Sequence, residues 1–147
     1  MSQYKPVEEP RFLTGLDMLP KTAKVAALAP VVVNPQPFLG TWVNVNKSAP
    51  MIIKLILSQT GANLSVELFG ACVPTPCDWN KVTAVAYSTG VCINEGSAFT
   101  AHYDQGFAER TVTGRLHEGA LILDVFTIFK DGSGRDNYHL QETFYRP

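Results

Sequence analysis

The C-terminal stretch Tyr138-His139-Leu140-Gln141-Glu142-Thr143-Phe144-Tyr145-Arg146 holds the first candidate for chemistry. Successive side chains of a β-strand point to opposite faces, so Tyr138, Leu140, Glu142, Phe144 and Arg146 share one side. A carboxylate then stands among apolar and aromatic groups, and burying it ionised and unpaired is costly. Two arrangements meet that constraint. Either Glu142 pairs with Arg146 or another cation and has a structural role, or its pKa is raised and it meets a ligand as donor or general acid/base. In the stretch from Phe99 to Tyr103, the face made by Phe99, Ala101 and Tyr103 is the more apolar, which selects Tyr103 over His102 as the second proton-transfer candidate. Tyr138, Phe99 and Trp79 are the aromatic candidates for ligand contact. Trp79 ends the segment Cys72-Val73-Pro74-Thr75-Pro76-Cys77-Asp78-Trp79, where two prolines impose an extended rim. That rim is either a rigid loop pinned by Trp79 or a gate over a ligand. Glu109, Arg110 and Asp124 are expected to be solvent or strand-pair charges.

Other chemistries lack their residues. Cys72 and Cys77 have no second ligand pair, and His102, His117 and His139 lie on separate segments, so neither a metal nor a cofactor is expected. Gly132-Ser133-Gly134 lacks the following Lys of a phosphate loop, and no Gly-x-Ser-x-Gly occurs. The first ten residues contain acids and prolines in place of a basic start and an apolar stretch, which predicts a cytoplasmic protein. In a reducing compartment the odd set Cys72, Cys77 and Cys92 is expected as thiols, although a Cys72–Cys77 disulfide is geometrically allowed.

These side chains lie far apart in a chain of 147 residues, 46% hydrophobic and 17% charged, a length that suits one core. The formal net charge is -1 with no basic block, so neither nucleic acid nor an anionic membrane is an expected partner. The apolar runs at residues 26–33 and 51–57 are broken by Pro30 and Lys54 and are far shorter than the roughly 20 residues a membrane helix needs. Seven of ten prolines fall in residues 1–50, whereas nine of eleven glycines fall from Gly61 onward. The chain therefore divides into an arm, residues 1–37, and a barrel domain, residues 38–147. The arm permits at most a short helix around residues 11–18. Its Val and Ala runs are too apolar for a free linker, which predicts packing on the barrel or on a partner subunit.

From Gly40 onward, short β-rich runs alternate with Gly-bearing turns about every ten residues. The expected strands are residues 41–46, 51–58, 63–69, 81–88, 98–104, 107–116, 120–129 and 135–146. Eight strands in meander order predict an all-β, antiparallel, up-and-down barrel without free edges. The seventh strand is apolar on both faces, so its outer face needs a cover, either the arm or a second copy in a homo-oligomer.

Gly40-Thr41-Trp42-Val43-Asn44 resembles the opening strand of the calycin barrels, the lipocalins and avidins. The resemblance implies that Trp42 plugs one end and that Arg146 packs across it. The avidin form also implies that Asn44 and Glu142 reach a ligand in the lumen. The several lumen tryptophans that cage biotin there are missing, since the chain has only Trp42 and Trp79. Expected functions are thus a binding module for a small, mostly apolar molecule, a cofactor-free isomerase or cyclase using Glu142 or Tyr103, or an interaction protein whose barrel is filled. Allene oxide cyclase and the lipocalin-like cyclases show, by fold analogy alone, that such barrels host the second class. An open lumen lined by Asn44, Tyr103 and Glu142 would separate the first two from the third.

Overall fold

The computed structural model describes residues 32–48 and 50–147. The helix expected near residues 11–18 and most of the apolar arm lie outside the described residues. Strands β1 (Gly40–Asn44), β2 (Ile52–Thr60), β3 (Asn63–Gly70), β4 (Cys77–Ser88), β5 (Gly96–Asp104), β6 (Ala108–His117), β7 (Ala120–Phe129) and β8 (Tyr138–Tyr145) follow in chain order. Each pairs antiparallel with the next, and β8 returns to β1, so the sheet closes into the eight-stranded barrel expected from the turn spacing. A 3-10 turn at Gln36–Phe38 is the helical element among the described residues.

Two strand starts differ from expectation by three residues or more. β4 begins at Cys77 rather than Lys81, because a bulge absorbs an extra residue where the pairing passes from Glu67↔Lys81 to Phe69↔Asp78. Asn80, inside the bulge, takes a left-handed φ of 72°, and Trp79, expected just after the loop, stands within β4 and packs against the core. β8 begins at Tyr138 rather than 135, since the preceding loop is tied locally by an Arg135–Asp131 ion pair of 2.7 Å. The Asp131 carboxyl is held at about 2 by hydrogen bonds from Ser133 and by Arg135.

Alternation sends Leu55, Val66, Leu68, Val112, Leu123 and Val125 inward, all fully buried, so the middle of the lumen is filled by the barrel's own side chains. One end is sealed by aromatics. Trp42 is 1% exposed and donates its indole N–H to the Phe38 carbonyl at 2.8 Å. Phe38 meets Phe99 edge to face at 5.6 Å. The Arg146 guanidinium lies 4.4 Å over the Trp42 ring and donates to the Pro37 carbonyl. Asn34 bridges to Glu95 beside this plug. On the outside, Phe126 and Ile128 are about half exposed, 45% and 52%. The arm segment expected to cover them lies outside the described residues.

The seal depends on an absent side chain. A Cβ on Gly114 would stand 2.2 Å from the Phe99 ring, well inside contact distance. Gly114→Ala is expected to lower stability by about 1–3 kcal/mol, as overpacking does. Phe99→Leu in the same chain should recover part of that loss in a denaturant titration; a double variant no better than additive would refute the clash.

Candidate functional site

At the end opposite Trp42, a cavity of about 380 Å³ opens between the β3–β4 loop, the β5–β6 turn and the entry to β2. Met51, Gly70, Trp79 and Phe107 give it apolar walls, and Arg110 and Asp78 add charge. Arg110 reaches it because β6 alternates: Ala108, Arg110, Val112 and Gly114 all face inward and all are buried. The guanidinium is 4.3 Å from the Trp79 ring. Its Nε donates to Gln105 Oε1 at 2.7 Å and its Nη1 to the Tyr138 hydroxyl at 3.2 Å. Beside it in register, Thr127 on β7 lies between Arg110 and Tyr138. The Thr127 hydroxyl is buried with no hydrogen-bond partner among the described residues. At the rim, Arg135 stacks 5.7 Å from Phe107 and 4.1 Å from Phe129.

The rim corrects one expectation. Cys72 and Cys77 form a disulfide, with Cα atoms 5.3 Å apart, where thiols were expected. The reason is register: Gly70 pairs with Cys77 at the hairpin end, so a chain leaving Gly70 and returning at Cys77 keeps Cys72 within bonding reach. Cys92 is free and exposed.

Glu142 and Asn44 do meet, but outside that cavity. The Asn44 amide donates to Glu142 Oε2 at 2.8 Å and to the Ile52 carbonyl at 2.8 Å. Glu142 further accepts the backbone N–H groups of Met51 at 3.0 Å and Ile52 at 2.9 Å. Its partners are neutral donors; Arg146, proposed as its counter-ion, is instead on Trp42. Tyr103 is likewise engaged by backbone. Its hydroxyl accepts Leu68 N–H at 3.2 Å and lies 3.1 Å from the Val66 carbonyl and 2.9 Å from that of Asn80, bridging the β3–β4 bulge. Burial pushes its pKa well above 10. Phe99 belongs to the opposite, sealed end, whereas Trp79 and Tyr138 both touch Arg110. Among the described residues no three His, Cys, Asp or Glu side chains converge as a metal would require.

The chain matches no family model, no curated protein and no solved structure. The site is therefore argued from its geometry. Arg110 corrects a second expectation, since at 8% exposure it is not a solvent charge. Its parity with Ala108, Val112 and Gly114 was the available signal. Gln105 and Thr127 gave none, because a turn residue and a strand threonine are ordinary surface choices.

Glu142→Gln replaces a carboxylate that accepts three N–H groups by an amide that accepts fewer. It should cost about 1–3 kcal/mol, read as a lower denaturant midpoint; unchanged stability would show the clamp to be incidental. Tyr103 ionises near pH 10 when unfolded but above that when folded. The unfolded chain thus loses this proton first, and its contribution to stability falls as pH rises past 10. Tyr103→Phe should flatten the decline in stability between about pH 10 and 12 relative to wild type; parallel curves would contradict the shift.

Proposed function

We propose that the barrel binds a small, mostly apolar molecule at its mouth. The observation that carries this reading is the cavity of about 380 Å³ beside Trp79, with apolar walls and few polar groups. That volume falls within the range of small-molecule sites, which recur at the mouths of β-barrels. The site is shallower than expected, because the middle lumen is occupied by leucines and valines. Proton transfer by Glu142 or Tyr103 is less favoured: neither lines this cavity, and both are engaged by backbone groups. The filled middle favours, as a second reading, an interaction protein. The two differ in whether a small molecule alone finds a site. No described helix is long and apolar enough to cross a membrane. The Cys72–Cys77 bond fits an oxidising compartment better than the cytoplasm expected from the sequence.

Ala71 lines the cavity with an exposed side chain, so a larger group there fills the space without entering the core. N-phenyl-1-naphthylamine, a neutral apolar fluorophore, should brighten on adding wild-type protein. Ala71→Trp should weaken that binding at least tenfold, about 1.4 kcal/mol, with an unchanged melting temperature. No response from the wild type, or equal binding by the variant, would remove the mouth as a binding site.

A further inference from the structure

Arg110 brings a permanent charge into the proposed binding cavity. At 8% exposure it has lost most of its water, and desolvated cations are normally matched by an acid. No described carboxylate forms an ion pair with it: those present join Lys130, Arg135 and the histidines to other acids. What it has instead is neutral. Gln105 accepts from Nε, the Tyr138 hydroxyl from Nη1, and Trp79 covers one face of the guanidinium. Gln105 takes the Nε proton and Tyr138 one of Nη1, so the donors left for a planar anion are the second Nη1 proton and the two of Nη2, at the far end of the guanidinium.

The residue paired with Arg110 across the strands, which does not itself line the cavity, is also short of a polar partner. Thr127, 1% exposed, sits directly across from Arg110 in the β6–β7 register with its hydroxyl unpartnered among the described residues. Buried hydroxyls are seldom left so. The acid that shares the cavity, Asp78, is exposed and engaged elsewhere. Its Oδ1 accepts Asn80 N–H at 2.8 Å. It also lies close enough to Glu67 that burial and the Asp78 charge together push the Glu67 carboxyl up.

We infer that the molecule bound at the mouth carries a carboxylate, received by Arg110, on an apolar and planar body that packs against Trp79. This rests on the mouth being the binding site and adds the class of its ligand. An acid at the rim and a cation below it set the direction of entry: the head group is drawn inward, and the apolar body is left between Met51 and Phe107.

The test is a matched pair of probes, 2-naphthoate and 2-naphthamide, titrated calorimetrically into the full chain, with displacement of N-phenyl-1-naphthylamine placing them at the mouth. The carboxylate should bind about ten- to a hundredfold tighter than the amide, the range for a hydrogen bond made by charged groups. Arg110→Met should bring the ratio of the two affinities close to one, whatever it does to the affinity of either probe. Where the Met variant does not fold, Arg110→Lys keeps the charge but not the fork, and should reduce the preference at least threefold. Equal wild-type affinities for the two probes would overturn the carboxylate assignment while leaving mouth binding intact. So would a preference that survives both substitutions. If none of the three probes binds the wild type, the mouth reading itself fails and the assignment with it.

Discussion

Barrel closure rests on a short seam. β8 meets β1 through two residue pairs, Val43↔Tyr145 and Asn44↔Phe144, whereas β6 and β7 share ten. A sheet with so little pairing at one join is close to having two open edges. Glu142 makes up the difference. From β8 it accepts the Asn44 amide of β1 and the first N–H groups at the start of β2, so one side chain binds three strands where the ladder is thinnest. Hydrogen bonds to a charged acceptor contribute about 1.5–3 kcal/mol each when well desolvated, and this carboxylate is partly shielded by the seam it closes. The dry interior, and with it the desolvation of Arg110, depends on that join.

A closed barrel has two ends, and the sequence treats them in opposite ways. At one, Trp42, Phe38 and Phe99 fill all available space, and glycines at 96 and 114 are required because any side chain there would strike a ring. Binding has no room. At the other, the large residue is Trp79, which a bulge turns against Tyr103 and Arg110. The bulge has its own cost in unpaired backbone groups, and the Tyr103 hydroxyl offsets part of it by accepting Leu68 N–H and giving its one proton to the nearby Asn80 and Val66 carbonyls. Tyr103 and Glu142 thus do comparable work: each replaces ladder hydrogen bonds where the sheet is irregular, and the irregularities shape the mouth.

This division explains which parts were legible in the sequence. Two-residue alternation and Gly-bearing turns are local, so the strands, their order and the inward parity of Tyr103 and Glu142 follow from neighbours in sequence. The partners of those residues are not local. Glu142 is 90 residues from Ile52, and no periodicity indicates that its oxygens meet backbone rather than Arg146 or a ligand. The place of Trp79 within β4 is not legible, because an unpaired extra residue has no composition of its own beyond the left-handed Asn80. Arg110 is legible by parity, but parity competes with the rarity of buried arginines, and only the fold shows which wins. The disulfide depends on the Gly70↔Cys77 register, which the sequence around the two cysteines does not show.

Arg110 and Trp79 depend on each other, and that dependence gives the mouth a fixed wall. The indole gives the guanidinium a surface that needs no counter-charge, and an aromatic–cation contact in a desolvated setting contributes about 2 kcal/mol. The guanidinium in turn holds Trp79 over the cavity at 4.3 Å, while Tyr103 braces the other side of the ring at 5.7 Å. The Cys72–Cys77 bond closes the loop immediately before Trp79, so the wall bearing the ring is tied at both strand ends. A wall fixed in this way would lose little conformational entropy on packing against a ligand, which favours the proposed binding at a shallow cavity of about 380 Å³.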